Sequence, residues 1–320
     1  MSNASRSIER LIDDFRRDKV HNQTESTAET HLTNLIAFRD WLQVEHDREL
    51  LDVGKRDVQE HLQSLENYGN KSIAARFTAI QTFYSWCENE GVIEENEHPT
   101  QNIVSGVNSS ITRKQEALRS EKPPAVKEQE VKQMLDHVPG PSVRNRLIIK
   151  ILFQTGIRAK ELRNIRLRDL DREERSIRVK DAKSEKFRTV YYRDLEPELT
   201  QWLDFGRRDS MRPADESDYL LLTNRSEKLS RDRPNKVVTQ AAENAEVQET
   251  IYTDQQGGER KRITTHSLRH GYARHCVKDG MDISMLQDLM GHDNIETTKV
   301  YLAFTDTDKK DAARQYGPKI

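Results

Sequence analysis

Residues 155–193 read TGIRAKELRNIRLRDLDREERSIRVKDAKSEKFRTVYYR. Two periodicities meet there. A helix predicted over 142–155 closes at Gly156, a residue type suited to a helix C-terminus. A second helix is expected from Arg158 to about Arg166. The pattern then shortens to period two. Ile177 and Val179 alternate in SIRVK, and Phe187, Thr189 and Tyr191 alternate in FRTVYY. The six residues DAKSEK, 181–186, join the two runs as a hairpin turn. A hairpin inside a helical pattern predicts a mainly α fold with a small β-hairpin or sheet.

Downstream, helices are expected at 127–137, 195–207, 231–245, 267–279, 282–290 and 294–303. Ile251 to Arg262, with Gly257-Gly258, reads as a loop or a second small hairpin. At the other end, Ile8, Leu11, Ile12 and Phe15 share one face of a first helix. Further patterns run from Ser26 through Leu32, Leu35, Ile36, Phe38, Trp41 and Leu42, from Val53 to Leu65, and from Ser72 to Asn89. Four helices with short connections make a small α bundle. Residues 97–125, rich in Ser, Asn, Pro and charge, lose periodicity and read as a linker. The expected division is a helical domain over 1–96 and a second domain over 126–320.

The formal net charge of the 320 residues is −2, from 52 Lys+Arg and 54 Asp+Glu. That near-neutrality hides two opposed parts. Residues 1–100 hold 11 basic and 19 acidic side chains, and the remainder nets +6. Arg158 to Arg193 is the densest basic stretch, with 13 basic and 7 acidic residues, a weak sign of a polyanionic partner. Two cysteines, Cys87 and Cys276, exclude a disulfide scaffold. The N-terminus lacks an apolar signal-peptide core. The densest apolar run, Leu147 to Phe153, is far shorter than the ~20 residues of a membrane span. A soluble, cytoplasmic protein is expected.

Five features of the second domain carry chemistry. Arg158 follows a helix-ending glycine at the start of a helix, where backbone N–H groups favour anions, and Glu161 stands one turn on, able to fix its guanidinium or a neighbouring lysine. Lys183 sits in the hairpin turn, where a flexible ammonium can protonate a leaving oxygen. In Thr265-His266-Ser267-Leu268-Arg269-His270, Thr265 can cap a helix, and His266 and Arg269 share a face. Gly291-His292 follows an apolar helix, and Tyr301 lies nine residues further on. His266 and His270 lack the companion ligands of a metal site, so no metal is expected.

Singly, each feature is ordinary surface or core chemistry. In the order R…K…HxxR…H…Y, with TGIRAKEL at the first arginine and GH-x8-Y at the end, they resemble the tyrosine recombinase family. The resemblance covers nearly the whole chain. It implies a core-binding (SAM-like) helical bundle followed by an α+β catalytic domain. It implies a site-specific DNA recombinase, for integration and excision or for resolution, working through a 3′-phosphotyrosyl intermediate. Tyr301 would be the nucleophile, and Arg158 and Arg269 would clamp the phosphate. Lys183 would protonate the 5′-oxygen. His266 would serve as base or phosphate ligand, His292 would donate a hydrogen bond, and Glu161 would orient the site. No cofactor is implied. The partners would be a double-stranded DNA recombination site and further copies of the chain, monomeric in solution and assembling as a tetramer on DNA, with no membrane.

The sequence departs from the family pattern in places. The hairpin lysine lacks its usual flanking glycines, so Lys186 is the fallback for Lys183. Gly271 replaces a common Ser or Thr, a change expected to matter little. The acidic first hundred residues are awkward for a DNA clamp. Lys71 and Arg76 could face phosphates locally, or the acidity could reflect adaptation to high salt, which weakens electrostatic DNA binding. Two other functions stay open on these residues: relaxation of DNA like a type IB topoisomerase, or a non-catalytic DNA-binding regulator of this fold.

Overall fold

The computed structural model describes residues 3–23, 25–65, 68, 70–94, 97–101, 103, 125–181, 186–253 and 258–291. Lys183, His292, Tyr301 and the helix expected at 294–303 lie outside them, as does the Lys71 side chain. The chain divides into two compact units, Met1–Glu121 and Lys122–Ile320.

The first unit is built on α1 (Asn3–Asn22), α2 (Glu25–His46), α3 (Lys55–Ser64) and α4 (Asn70–Asn89), with a 3₁₀ turn at Leu50–Asp52. Ile8, Ile12 and Phe15 of α1 are buried, as their spacing predicts. They meet Leu35, Phe38 and Leu42 of α2 and Ile73, Phe77, Ile80 and Phe83 of α4. Phe15 and Phe83 pack edge to face at 5.3 Å. Ile36, part of the apolar face in the sequence pattern, is instead exposed. The Tyr84 hydroxyl donates to the Leu50 carbonyl at 2.7 Å, tying the 3₁₀ turn to α4. His98, within the stretch expected to be linker, is buried against α4, 3.2 Å from Ser85 Oγ.

The second unit is centred on α6 (Ser142–Thr155), which follows α5 (Glu128–Asp136). Leu147, Ile148, Ile149, Ile151 and Leu152 of α6 are all fully buried, so this helix is covered on nearly every side. Lys150, the one charge in that run, is compensated by Glu198 at 2.7 Å and Asp194 at 3.2 Å.

The helix expected from Arg158 to Arg166 stops early. Its one α turn, α7, covers Ala159–Leu162. Beyond it the backbone turns to pair with residues 218–220: Leu167 N–H donates to the Asp218 carbonyl at 2.8 Å and Leu220 N–H to Ile165 at 2.9 Å. Tertiary pairing overrides helix propensity there.

The hairpin forms as expected, from β2 (Ser176–Lys180) and β3 (Phe187–Tyr191), with Ile177 opposite Val190. A two-residue β1 (Leu170–Asp171), not anticipated, completes an antiparallel three-stranded sheet. The period of β3 is the expected one, but its phase is not. Phe187 and Tyr191 are exposed, while Val190 is buried and Arg188 mostly so. Phe187 is held outside by Arg178, whose guanidinium lies 4.2 Å from its ring centre.

The helix expected at 195–207 is a single α turn, α8 (Glu196–Leu199), running into a wider π-helical turn at Thr200–Asp204. Next come α9 (Arg233–Asn244) and a small hairpin of β4 (Thr250–Thr253) and β5 (Glu259–Lys261). The described chain ends with α10 (Thr265–Lys278) and α11 (Ile283–Met290). Thr264, rather than Thr265, caps α10, and its exchange with Ser267 is reciprocal. No helix among the described residues is long and apolar enough to cross a membrane.

Candidate active site

Three helix ends and the inner face of β3 meet in the second unit. Gly156 closes α6 with φ +65°, and a Cβ there would lie 2.2 Å from the Tyr272 ring. That turn delivers Arg158 to the start of α7. Glu161 reaches back to the Arg158 backbone N–H at 2.8 Å and to its guanidinium at 2.9 Å. Glu161 thus fixes the guanidinium, one of the partners its spacing offered, and its side chain is fully buried.

Arg269 projects from the buried face of α10 and is only 4% exposed. Its guanidinium donates to the Gly156 carbonyl and to the Met290 carbonyl, the latter at 2.8 Å. Arg158 donates to the next carbonyl, Gly291, at 2.9 Å. Arg188 Nε donates to the preceding one, Leu289, at 2.9 Å. Three arginines, distant in sequence, therefore hold three successive carbonyls at the end of α11. A helix C-terminus leaves such carbonyls without intrahelical partners and carries partial negative charge, so cations are favoured there. Gly291 makes the approach possible: it has φ +64°, and a Cβ would stand 2.9 Å from Arg188 Nη1. The next residue is His292.

His266 lies on the exposed side of α10. Partial burial, then the positive charges of Arg269, Arg260 and Arg158, lower its pKa below the ordinary histidine value. His266 is therefore neutral at pH 7 and keeps a nitrogen lone pair. Burial, then His266 and Arg269, push His270 down to about 4. For Glu161, burial acts to raise the pKa. The hydrogen bond and charge of Arg188, then those of Arg158, outweigh it and hold the carboxyl below its usual range.

These shifts share one sign. As pH falls below the unfolded histidine value of ~6.5, the unfolded chain takes up protons that folded His270 and His266 refuse. Glu161 adds stability that is present above its unfolded pKa and lost as pH falls through its depressed folded value. Stability of the second unit is thus expected to decline between pH 6.5 and 4, by up to about 3 kcal/mol from His270 alone. Urea unfolding at several pH values measures this. His270→Gln should flatten the slope, and an unchanged slope would refute the assignment.

Of the sequence-read candidates, Arg158, Glu161, His266 and Arg269 converge. Lys186 is exposed at the mouth of the hairpin, where its carbonyl accepts from Asp181 N–H at 2.9 Å. Arg76, in the first unit, lies over the Tyr68 ring at 4.0 Å. Sequence reading misses Arg188, although the alternation of β3 places it opposite Phe187 in phase. It also undervalues Gly271, where a Cβ would come within 2.6 Å of the Val126 carbonyl and 3.1 Å of Phe153. A side chain there would need the Val126 backbone or α10 to shift. Among the described residues, no group of three or more His, Cys, Asp or Glu side chains could hold a metal ion.

Comparison with known proteins covers both units. Residues 124–308 match the model of the phage integrase family, and residues 9–91 match that of the phage integrase N-terminal SAM-like domain. The chain is 25% identical over 307 residues to tyrosine recombinase XerC of Halalkalibacterium halodurans, covering 93% of each protein. It is 30% identical over 196 residues to tyrosine recombinase XerA of Pyrococcus furiosus, spanning 60% of this chain and 62% of that one. Its fold resembles that of a lambda integrase tetramer bound to a Holliday junction, with a TM-score of 0.62 at 15% identity, covering 89% of this chain and 77% of that one.

Proposed function

The chain belongs to the phage integrase family and is a tyrosine recombinase, a DNA strand-breaking and rejoining enzyme of site-specific recombination, and we propose that Arg158, Lys183, His266, Arg269, His292 and Tyr301 carry its reaction. The observation that supports this most is the convergence of Arg158 and Arg269 on the carbonyls that lead directly into His292. Two guanidinium groups held by protein acceptors form a fixed clamp for a phosphodiester, whose non-bridging oxygens match their planar forks.

In the proposed reaction the Tyr301 oxygen attacks the scissile phosphorus and loses its proton to His266, which is neutral at pH 7. The bond from phosphorus to the 5′-oxygen breaks, and the electron pair leaves on that oxygen, which takes a proton from Lys183. Arg158, Arg269 and His292 stabilise the charge that builds on the phosphoryl oxygens. One ester replaces another, so the bond energy is kept and rejoining reverses the same steps without a cofactor. The chain's partner is a double-stranded recombination site, on which four copies assemble from monomers. The tetramer solved for lambda integrase on a Holliday junction lends support to that assembly.

The test is incubation of the full chain with nicked suicide duplexes, selected for covalent capture from a randomised pool. A denaturation-resistant protein–DNA adduct is expected, and Tyr301→Phe should lower its yield by at least ~10⁴-fold. Failure to capture any duplex, or an undiminished adduct in Tyr301→Phe, would refute the reading.

A further inference from the structure

We propose that Arg188 is a positioning residue for strand cleavage: it ties the buried Glu161 carboxylate to the carbonyl end of α11 and thereby fixes both Arg158 and the turn leading into His292. The inference rests on the recombinase reading above and assigns a role to a residue outside the six.

All three nitrogens of the Arg188 guanidinium are engaged within the protein. Nε donates to the Leu289 carbonyl at 2.9 Å, Nη1 to Glu161 Oε1 at 3.2 Å and Nη2 to Glu161 Oε2 at 2.8 Å. The pair with Glu161 is a two-point fork, the geometry in which arginine orients a carboxylate most firmly. The same two oxygens serve Arg158: Oε1 takes its Nη1, and Oε2 takes its backbone N–H. Glu161 is therefore a buried, four-bonded hub, and half of its bonds come from Arg188. Removing them would leave a buried carboxylate under-paired, a costly arrangement that favours displacement or protonation. Either outcome would loosen Arg158.

Arg158 and Arg188 share the same carboxylates, and it is burial that argues against a direct grip on DNA by Arg188. Asp181 stands 3.7 Å from Arg158 and 3.9 Å from Arg188, so two arginines face two carboxylates and the cluster is balanced. Arg188 is only 14% exposed. Its guanidinium packs against Gly291, where any Cβ would collide with it. A lysine offers one nitrogen on a flexible stem and cannot reach Leu289 and both Glu161 oxygens together.

The experiment uses the full-length chain and the duplexes captured by the wild type. Arg188→Met should slow single-turnover adduct formation on the order of 100-fold, with the Kd for an unnicked duplex within about threefold of wild type. Arg188→Lys should recover part of the rate. Glu161→Gln removes the buried charge, so in the Arg188→Met background it should restore rate by roughly tenfold rather than multiply the loss. A wild-type rate in Arg188→Met, a loss carried by Kd, or multiplicative losses in the double variant would each overturn the proposal. Hydrogen exchange gives a readout independent of activity. Amide protection at 289–291 should fall about tenfold in Arg188→Met while α6 stays unchanged. Unchanged protection would overturn the proposal even if the wild type captured no DNA, whereas absent capture with lowered protection would overturn only the recombinase reading.

Discussion

Arg269→Ala is expected to slow strand cleavage severely and weaken the second unit at once, because one buried guanidinium serves both. On the catalytic side, removing a fixed donor to the developing phosphoryl charge should lower the cleavage rate by roughly 10³-fold. On the structural side, the Gly156 and Met290 carbonyls lose the donor that joins the end of α6 to the end of α11. Leaving buried acceptors unmet should destabilise the unit by about 2–4 kcal/mol, or roughly 5–15 °C in Tm for a unit of this size. The two effects separate with Arg269→Lys. A single ammonium restores charge and one of the two donations, so much of the stability should return. Cleavage should stay about 100-fold down, because a point charge cannot replace a fork. Cleavage within tenfold of wild type in Arg269→Ala would remove Arg269 from the clamp.

Gly156→Ala should destabilise the second unit by about 3 kcal/mol, far more than an added methyl usually does. Two costs add. Position 156 sits at φ +65°, a conformation that disfavours a Cβ by roughly 1 kcal/mol. The new Cβ would also lie 2.2 Å from Cδ1 and 2.8 Å from Cε1 of Tyr272, so the ring must move within a packed site. Gly206 supplies the control. It has φ +69° with nothing within 4 Å of an added methyl, so Gly206→Ala should cost only the conformational part, about 1 kcal/mol. Thermal melts of both variants give the comparison. Equal losses would mean that the Tyr272 contact carries no weight.

The legible parts of this molecule are those that local chemistry decides. The apolar run of α6 and its terminal Gly156 set that helix and its end. The alternation in SIRVK and FRTVYY sets the hairpin. Arg158, Glu161, His266 and Arg269 are readable because they stand in the order of motifs that resembles the family; singly, their spacing marks only a helix start or a helix face. The illegible parts depend on what a segment meets after folding. Nothing local halts the pattern after Leu162; the backbone of 165–167 leaves the helix to pair with 218–220. Strand β1 is two residues long and exists only through β2. Arg188 is hidden by its neighbours: Phe187 and Tyr191 look like an inward apolar pair, yet they face outward, and the charged residue between them turns in. A buried arginine is recognisable only when its acceptors are known, and here those are Glu161 and a carbonyl about a hundred residues away. Gly271 is similar, since only the neighbouring Val126 backbone shows why a side chain is unwelcome.

The acidic first hundred residues gain one physical detail. Arg76, a candidate phosphate contact, rests on the Tyr68 ring. Stacking of this kind leaves guanidinium edges available while holding the plane in place.

Tyr301 is expected to become covalently joined to the 3′-phosphate of cleaved DNA. Trypsin digestion of the captured adduct, followed by mass spectrometry, tests it most directly. The expected result is a nucleotide-bearing peptide VYLAFTDTDK, residues 300–309, with the added mass on Tyr301. The same mass on any other residue, or an adduct that leaves this peptide unmodified, would contradict the account.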